Sequence, residues 1–485
     1  MDNETFRRHG HALVDWMADY LAEIEQFPVR AQVEPGEIVA RLPPSPPAEG
    51  EPMATIMADF ERDVLPGVTH WQHPNFFAYF SANSSPPSVL AEMLTATIGA
   101  QCMLWQTSPA ATEMETRMLD WLRQMTGLPE GFHGVIQDTA SSAILCAILT
   151  ARERATGWRS NDAGLSSKEQ KLAVYASEEA HSATEKAVKI VGIGRQMLRL
   201  IEADEQFALR PEALADAIRK DIAAGVTPAC VVASLGTTGA GGIDPLRPIG
   251  ALCQEHGIFL HVDAAWAGNA LILPEYRWML DGIELADSLV FNPHKWLFTN
   301  FDCSAHFVRD PDALIRTLAI LPEYLKSREA DQVIDYRDWG VPLGRRFRAL
   351  KLWFVIRSYG VAGLREMIAN HIQWAKELAA KVAAEPDFDL ISPATLALFS
   401  FRYHPAGVDD EATLDRLNER LLNRLNDDGR IYLTQNRAKG RYVLRFNVGQ
   451  TNTRRHHVLS AWDVIKQMAR ELHSGSALAG TAVGP

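Results

Sequence analysis

The sequence predicts an α/β fold, a mostly parallel sheet with helices on both faces, and three observations carry that prediction. Between about 155 and 310, short apolar runs alternate with helical segments in strand–turn–helix units. The runs are rich in β-branched and aromatic residues and lack polar alternation, the pattern of strands buried on both faces. Several end in a charged or hydroxyl-bearing residue, and in open α/β sheets the C-terminal strand ends border the ligand crevice.

The units follow in order. Lys171-Leu-Ala-Val-Tyr-Ala-Ser is a strand, and Glu-Glu-Ala-His181-Ser182 opens the helix after it. Met197-Leu-Arg-Leu-Ile is the next strand, and residues 211–223 form a helix that starts at Pro211, where a missing N–H costs nothing. Ala229-Cys-Val-Val-Ala-Ser-Leu runs into Gly236-Thr-Thr238-Gly-Ala-Gly-Gly-Ile-Asp244, and residues 245–256 are helical. Ile258-Phe-Leu-His-Val-Asp263 is apolar up to a carboxylate. Asp287-Ser-Leu-Val-Phe-Asn292-Pro-His294-Lys295-Trp repeats that design with a lysine.

Upstream, residues 4–26 place Phe6, Leu13, Trp16, Met17, Tyr20, Leu21 and Ile24 at helical spacing. The Pro-rich linker starting at Arg41 cannot continue a helix, so this apolar face is expected to pack on another subunit. A helix over about 53–65 ends at Pro66-Gly67, before a run dense in aromatics from His70 to Phe80. Helices are expected at about 86–100 and 109–126, with Met114, Met118, Trp121, Leu122 and Met125 as core. Gly134-Val-Ile-Gln-Asp138-Thr139-Ala140-Ser141-Ser142 is a turn of small residues leading into an apolar helix, whose N-terminus is either an ordinary cap or a phosphate cradle.

Downstream, residues 318–340 are polar and patternless, as functional loops are. A long helix starts within 347–359 and leads to a small C-terminal α+β domain, about 361–475, with half-exposed strands at Leu396-Ala-Leu-Phe-Ser-Phe and Arg441-Tyr-Val-Leu-Arg-Phe. The expected divisions are 1–85, a helical segment on the partner subunit; 86–360, the large domain; 361–475; and a disordered tail, 476–485.

A net charge of −12 over 485 residues argues against a nucleic-acid surface. No apolar run reaches membrane-spanning length, and the N-terminus lacks signal-peptide character. The five cysteines, 102, 146, 230, 253 and 303, form no Cys-x-x-Cys pair, which suits free thiols in a cytoplasmic protein. A nicotinamide site is disfavoured because Gly-x-Gly-x-x-Gly is missing.

The strand ends therefore offer a polar set: Ser141, His181, Thr238, Asp263, His294 and Lys295. A lysine among apolar neighbours is expected to have a depressed pKa, giving the neutral amine that Schiff-base chemistry uses. The plainer alternative is that Asp263 caps a helix and Lys295 reaches solvent.

The wording of these segments decides between them. His-Val-Asp263-Ala-Ala, Asn292-Pro-His-Lys-Trp, Tyr175-Ala-Ser, the Gly-Thr-Thr turn, Pro66-Gly-Val-Thr-His-Trp, Asn300-Phe-Asp-Cys-Ser and Leu343-Gly-Arg-Arg-Phe-Arg together resemble the aromatic-L-amino-acid decarboxylases dependent on pyridoxal 5′-phosphate (PLP). The resemblance spans nearly the whole chain. It implies a fold-type I transferase-like architecture with a seven-stranded sheet, working as a homodimer with its site at the subunit interface.

Roles follow from the resemblance, residue by residue. Lys295 would anchor PLP, Asp263 would pair with the pyridinium nitrogen, His181 would stack on the ring, and Ala265 would pack on the opposite face. Thr238 would lie near the ring hydroxyl. Ala140 and Ser141 would hold the phosphate, supplemented by Asn292 and His294. Tyr324 would protonate the carbon that carbon dioxide leaves.

Trp71, Tyr79, Phe80, Ala82, Gln101, Met103 and Gly344 would line the substrate pocket. Ala82, Gln101, Met103 and Trp266 depart from common relatives, so phenylalanine, tyrosine, tryptophan, DOPA and 5-hydroxytryptophan all stay open. No metal is expected. The implied reaction is decarboxylation to the amine. The alternative on the same scaffold is an aromatic acetaldehyde synthase, which commonly carries Phe at the tyrosine or Asn at the histidine.

Overall fold

The computed structural model describes residues 1–165, 170–320 and 332–480, with side chains through Leu472. Seven strands form the larger sheet: β1 His133–Gln137, β2 Lys171–Ser177, β3 Leu198–Ile201, β4 Val226–Ser234, β5 Phe259–Asp263, β6 Ser288–Phe291 and β7 Ser304–Val308. Their order is β1-β7-β6-β5-β4-β2-β3. The pairs β2/β3, β2/β4, β4/β5 and β5/β6 are parallel, and β7 runs antiparallel to both β6 and β1. This is the fold-type I architecture.

The crossovers explain the helices on both faces. From β2 to β3 the chain moves outward along the sheet; from β3 to β4 and from β4 to β5 it moves back. Right-handed crossovers in opposite directions lie on opposite faces. The direction changes between β2 and β4, so a crevice opens at the C-terminal ends of these neighbouring strands.

Two strands of this sheet were not expected. β1 falls where only a turn was read, and β7 lies in a stretch assigned no structure. In β7 all five residues are buried, but Ser304 and His306 interrupt the apolar run that marks a buried strand. β1 is a short edge strand containing Gly134, where a Cβ would lie 2.7 Å from Leu119 Cδ2.

The chain divides into two compact units. The larger is Ala82–Gln373 with Ala394–Leu396 and holds the seven-stranded sheet. The smaller is Met1–Ser81, Trp374–Pro393 and Ala397–Pro485. Its antiparallel sheet has the order β10-β11-β9-β8, from β8 Phe388–Ser392, β9 Leu398–Tyr403, β10 Thr434–Ala438 and β11 Arg441–Asn447. On one face Phe77, Phe399 and Phe446 stack. On the other, Thr434, Arg445, Ser400 and Ser392 face one another in register, all buried.

The N-terminal segment joins the smaller unit through its backbone. Val29 N–H donates to Gly429 O at 2.8 Å, and Phe77 N–H donates to Tyr432 O at 3.0 Å. The first helix, Asn3–Ala22, starts at Asp2, whose side chain accepts from Thr5 N–H, and it buries none of its residues. Trp16 meets Phe60 and hydrogen-bonds Glu61, while Phe6 stays 62% exposed.

All five thiols are buried. Burial pushes Cys102 up to about 11, and Cys146 and Cys303 up to about 12. Among the described residues no helix is long and apolar enough to cross a membrane.

Candidate active site

The predicted cofactor-site residues of the larger unit enter at or just past strand ends. After β2, Ala180 N–H bonds back to Ser177 O and the chain turns to present His181. Ala183 N–H donates to His181 Nδ1 at 3.1 Å, so Nδ1 is an acceptor and the neutral ring carries its proton on Nε2. The residue as a whole is solvent-exposed. Desolvation nevertheless lowers its pKa, Asp263 opposes that, and Lys295 adds to it. Asp263 and Lys295 thus both lie within electrostatic reach of His181.

After β4 the Gly-Thr-Thr turn is held tightly. Gly236 and Thr237 both donate N–H to Gly242 O at 2.9 Å, and Thr237 Oγ1 accepts from Gly242 N–H at 2.8 Å. Gly236 has φ +81°, and a Cβ there would lie 2.7 Å from Ala267 Cβ. Thr237 therefore staples the turn, a role the sequence did not reveal, while the half-buried Thr238 follows it. Leu235 N–H reaches Asp263 O at 2.9 Å and joins this turn to the end of β5.

At that end Asp263 Oδ1 accepts from Ala265 N–H at 3.0 Å. Ala265 O accepts from Asn292 N–H at 2.9 Å, and Ala265 packs against Ala140, Ala143 and Val290. The carboxylate, the alanine and the start of the helix Ala140–Ala155 are thereby brought together. Thr139 precedes that helix without a side-chain cap bond. Its first-turn amides, including those of Ala140 and Ser141, have no intrahelical carbonyl to bond.

β6 leads into a single helical turn, Pro293–Trp296, that carries the half-buried Lys295. Its carbonyl accepts from Asn83 Nδ2, and Asn83 N–H donates to His294 O at 3.1 Å. Ser85 Oγ donates to Phe298 O at 2.7 Å. Sequence reasoning missed these braces because Asn83-Ser-Ser85 reads as an ordinary break before two prolines. Trp296 stacks on Trp266 at 4.8 Å and donates to His371 Nδ1 at 3.0 Å, which stiffens the base of the lysine.

Asn292 and His294 are buried and face β7. Asn292 Oδ1 accepts from Ser304 Oγ at 2.7 Å, and His294 Nδ1 accepts from Cys303 N–H at 2.8 Å. Burial, aided by Lys295, pushes His294 down to about 3, so it stays neutral.

Of the lining residues in this unit, Gln101 Oε1 accepts from Arg345 N–H at 2.7 Å, and a Cβ on Gly344 would lie 3.2 Å from Gln101 Nε2. Met103 O accepts from Arg337 N–H at 3.1 Å, and Ala82 is half-buried. In the smaller unit Trp71 stacks with Tyr79 at 5.7 Å, and Phe80 lies under the Arg445 guanidinium at 5.3 Å. Tyr324 lies outside the described residues.

This donor set fits PLP. It offers a primary amine for the aldehyde, a carboxylate for the ring nitrogen, a neutral imidazole and an uncapped helix N-terminus for the phosphate.

Residues 35–404 match the family model for the pyridoxal-dependent decarboxylase conserved domain. The chain is 43% identical over 482 residues to phenylacetaldehyde synthase of Arabidopsis thaliana, covering 97% of each chain. It is 43% identical to tyrosine decarboxylase 1 of Narcissus pseudonarcissus, covering 97% of this chain and 94% of that one. The crystal structure of Oryza sativa TDC with PLP and tryptamine superposes with a TM-score of 0.94 at 38% identity, covering 97% of this chain and 99% of that chain.

Proposed function

Since the chain belongs to the pyridoxal-dependent decarboxylase family, we propose that it converts aromatic L-amino acids to amines and carbon dioxide. The observation that carries this reading is that Asp263 and Lys295, at or just past the C-terminal ends of β5 and β6, both act electrostatically on His181 just past the end of β2. PLP bound there supplies an electron sink for the pair left behind by carbon dioxide.

The chain's own groups do the rest. Lys295 would hold the cofactor through its Nζ amine. Asp263, fixed in place by the Ala265 amide, would keep a proton on the ring nitrogen. His181, neutral and with Nδ1 engaged by Ala183, would face the ring and keep an Nε2–H donor. Ala265 would pack on the opposite face, and Thr238 would stand by the ring hydroxyl. Ala140 and Ser141 offer amides and a hydroxyl to the phosphate, with Asn292 and His294 behind them. Tyr324 delivers the proton that completes the amine.

Trp71, Tyr79, Phe80, Ala82, Gln101, Met103 and Gly344 receive the aromatic side chain, whose flat apolar surface such a lining suits. Phenylalanine, tyrosine, tryptophan, DOPA and 5-hydroxytryptophan are the substrate class. The protein works in the cytoplasm as a homodimer, and the unburied helix Asn3–Ala22 packs on the second copy.

An aromatic acetaldehyde synthase is the second reading, favoured by the likeness to the Arabidopsis thaliana protein. Tyr324 and His181 weigh for simple decarboxylation. The deciding experiment supplies each aromatic amino acid with and without oxygen and measures amine, carbon dioxide, ammonia and peroxide. Equal amine and carbon dioxide, independent of oxygen, is the expected result. Peroxide and ammonia in proportion to carbon dioxide would establish the synthase instead.

A further inference from the structure

We propose that Glu115 is a positioning residue that sets the phosphate cradle and the substrate wall from one carboxylate oxygen. The inference rests on the reading above, in which Ala140 and Ser141 hold the cofactor phosphate and Gln101 and Gly344 line the substrate pocket.

Glu115 is 2% exposed in the helix Pro109–Thr126, on the same face as Ala111, Met118 and Leu122. A carboxylate there is costly unless it is paired and hydrogen-bonded. Its Oε1 accepts from Ile136 N–H at 2.8 Å and from Arg345 Nη2 at 2.6 Å. The same Arg345 Nη2 donates to Ile136 O at 2.9 Å. Both backbone groups of Ile136 are thus satisfied by one buried ion pair.

This closes an open edge. β1 is the last strand of the larger sheet, so the outer side of Ile136 has no neighbouring strand. An acceptor and a donor stand where a strand would otherwise supply C=O and N–H. Two residues after Ile136, Asp138 accepts from Thr139 N–H, and the helix Ala140–Ala155 begins. Moving Ile136 moves the cradle.

The other arm runs through Arg345. Its backbone N–H donates to Gln101 Oε1 at 2.7 Å, and its carbonyl accepts from Cys102 N–H at 3.0 Å. These two bonds hold Gly344 against Gln101. The guanidinium also lies over the Tyr336 ring at 5.0 Å, whose hydroxyl meets Thr116 Oγ1 at 3.0 Å, one residue past Glu115 on the same helix. The wall therefore has the position Arg345 gives it, and Arg345 takes its position from Glu115.

Glu115→Gln tests this. It keeps an acceptor for Ile136 N–H and removes the counter-ion of Arg345. PLP is titrated into enzyme stripped of cofactor, KM and kcat are measured on the reloaded enzyme, and melting temperature is followed alongside. The PLP dissociation constant and the KM for the aromatic amino acid should both rise about tenfold or more, with kcat falling less than KM rises. A lower melting temperature with both constants unchanged would make Glu115 a packing residue only and overturn the proposal. A rise in only one of the two constants would overturn it too, because one oxygen serves both arms.

Arg345→Lys keeps the charge but not the fork and should raise both constants. It serves as the test if Glu115→Gln does not fold. If the unmodified enzyme turns over no aromatic amino acid, the substrate reading has failed. The weaker PLP binding of Glu115→Gln then still supports the positioning role, and unchanged PLP binding overturns it.

Discussion

The four-stranded sheet carries a continuous polar row across its strands, whereas the seven-stranded sheet, which also buries His261, Ser288, Ser304 and His306 within strands, gathers its candidate site residues at strand ends. In the seven-stranded sheet, the residues assigned to chemistry stand at or just past strand ends, where Asp263, the Gly236 turn, His181 and Lys295 meet the crevice. In the four-stranded sheet, a polar row crosses the strands themselves, from Thr434 through Arg445 and Ser400 to Ser392. Thr434 Oγ1 accepts from Arg445 Nη1 at 3.1 Å, but Ser400 Oγ, Ser392 Oγ, Arg445 Nε and Arg445 Nη2 find no hydrogen-bond partner among the described residues. A polar group at a strand end is exchanged for ligand contact at little cost to folding. One in the middle of a buried strand is a charge on stability.

The largest test of that contrast is Lys295→Ala. Turnover should fall by roughly three orders of magnitude or more, while the melting temperature of cofactor-free protein moves by only about 2 °C. A large loss of cofactor-free stability would place Lys295 with the mid-strand group and break the comparison.

Acid should act through buried neutral histidines in both units. Burial pushes His294 and His306 down to about 3 and His73 down to about 4. Below the ordinary histidine value near 6.5 the unfolded chain takes up protons that the folded one refuses, so stability falls as pH falls toward those values. Each group contributes roughly 1.4 kcal/mol per pH unit within that window. Denaturant unfolding at pH 7 and pH 5 should show the loss; equal midpoints would mean these rings are paired as cations.

The smallest effect is expected from Ser400→Ala. Removing a buried hydroxyl that lacks a partner should leave stability unchanged or raise it by roughly 0.5–1 kcal/mol, read from urea midpoints, with activity intact. A clear destabilisation would show that the hydroxyl is satisfied after all.

The contrast also explains what the sequence could reveal. Polar residues closing apolar runs are visible in one dimension, so Asp263 and Lys295 stood out, and the helix Pro211–Ala223 fell on its expected residues. Polar residues inside a buried strand erase the pattern that would identify it. Ser304 and His306 hid β7 in this way, and His306 is fully buried with neither ring nitrogen hydrogen-bonded among the described residues. Glu115 was hidden for a related reason: a glutamate on an amphipathic helix reads as its solvent face. Its burial follows from Ile136 and Arg345, distant in sequence. Asn83 braces Lys295 from more than two hundred residues away, and no local pattern carries that.

The shielded thiols have a practical consequence. With every cysteine buried, and burial holding Cys102, Cys146 and Cys303 in the protonated form, alkylating reagents find little nucleophilic sulfur on the folded protein at neutral pH. The native chain is in effect a blank background for labelling. A cysteine introduced at Leu343, 47% exposed beside Gly344, would present a reactive sulfur against five protected ones and put a fluorophore next to the proposed substrate pocket without prior removal of native residues.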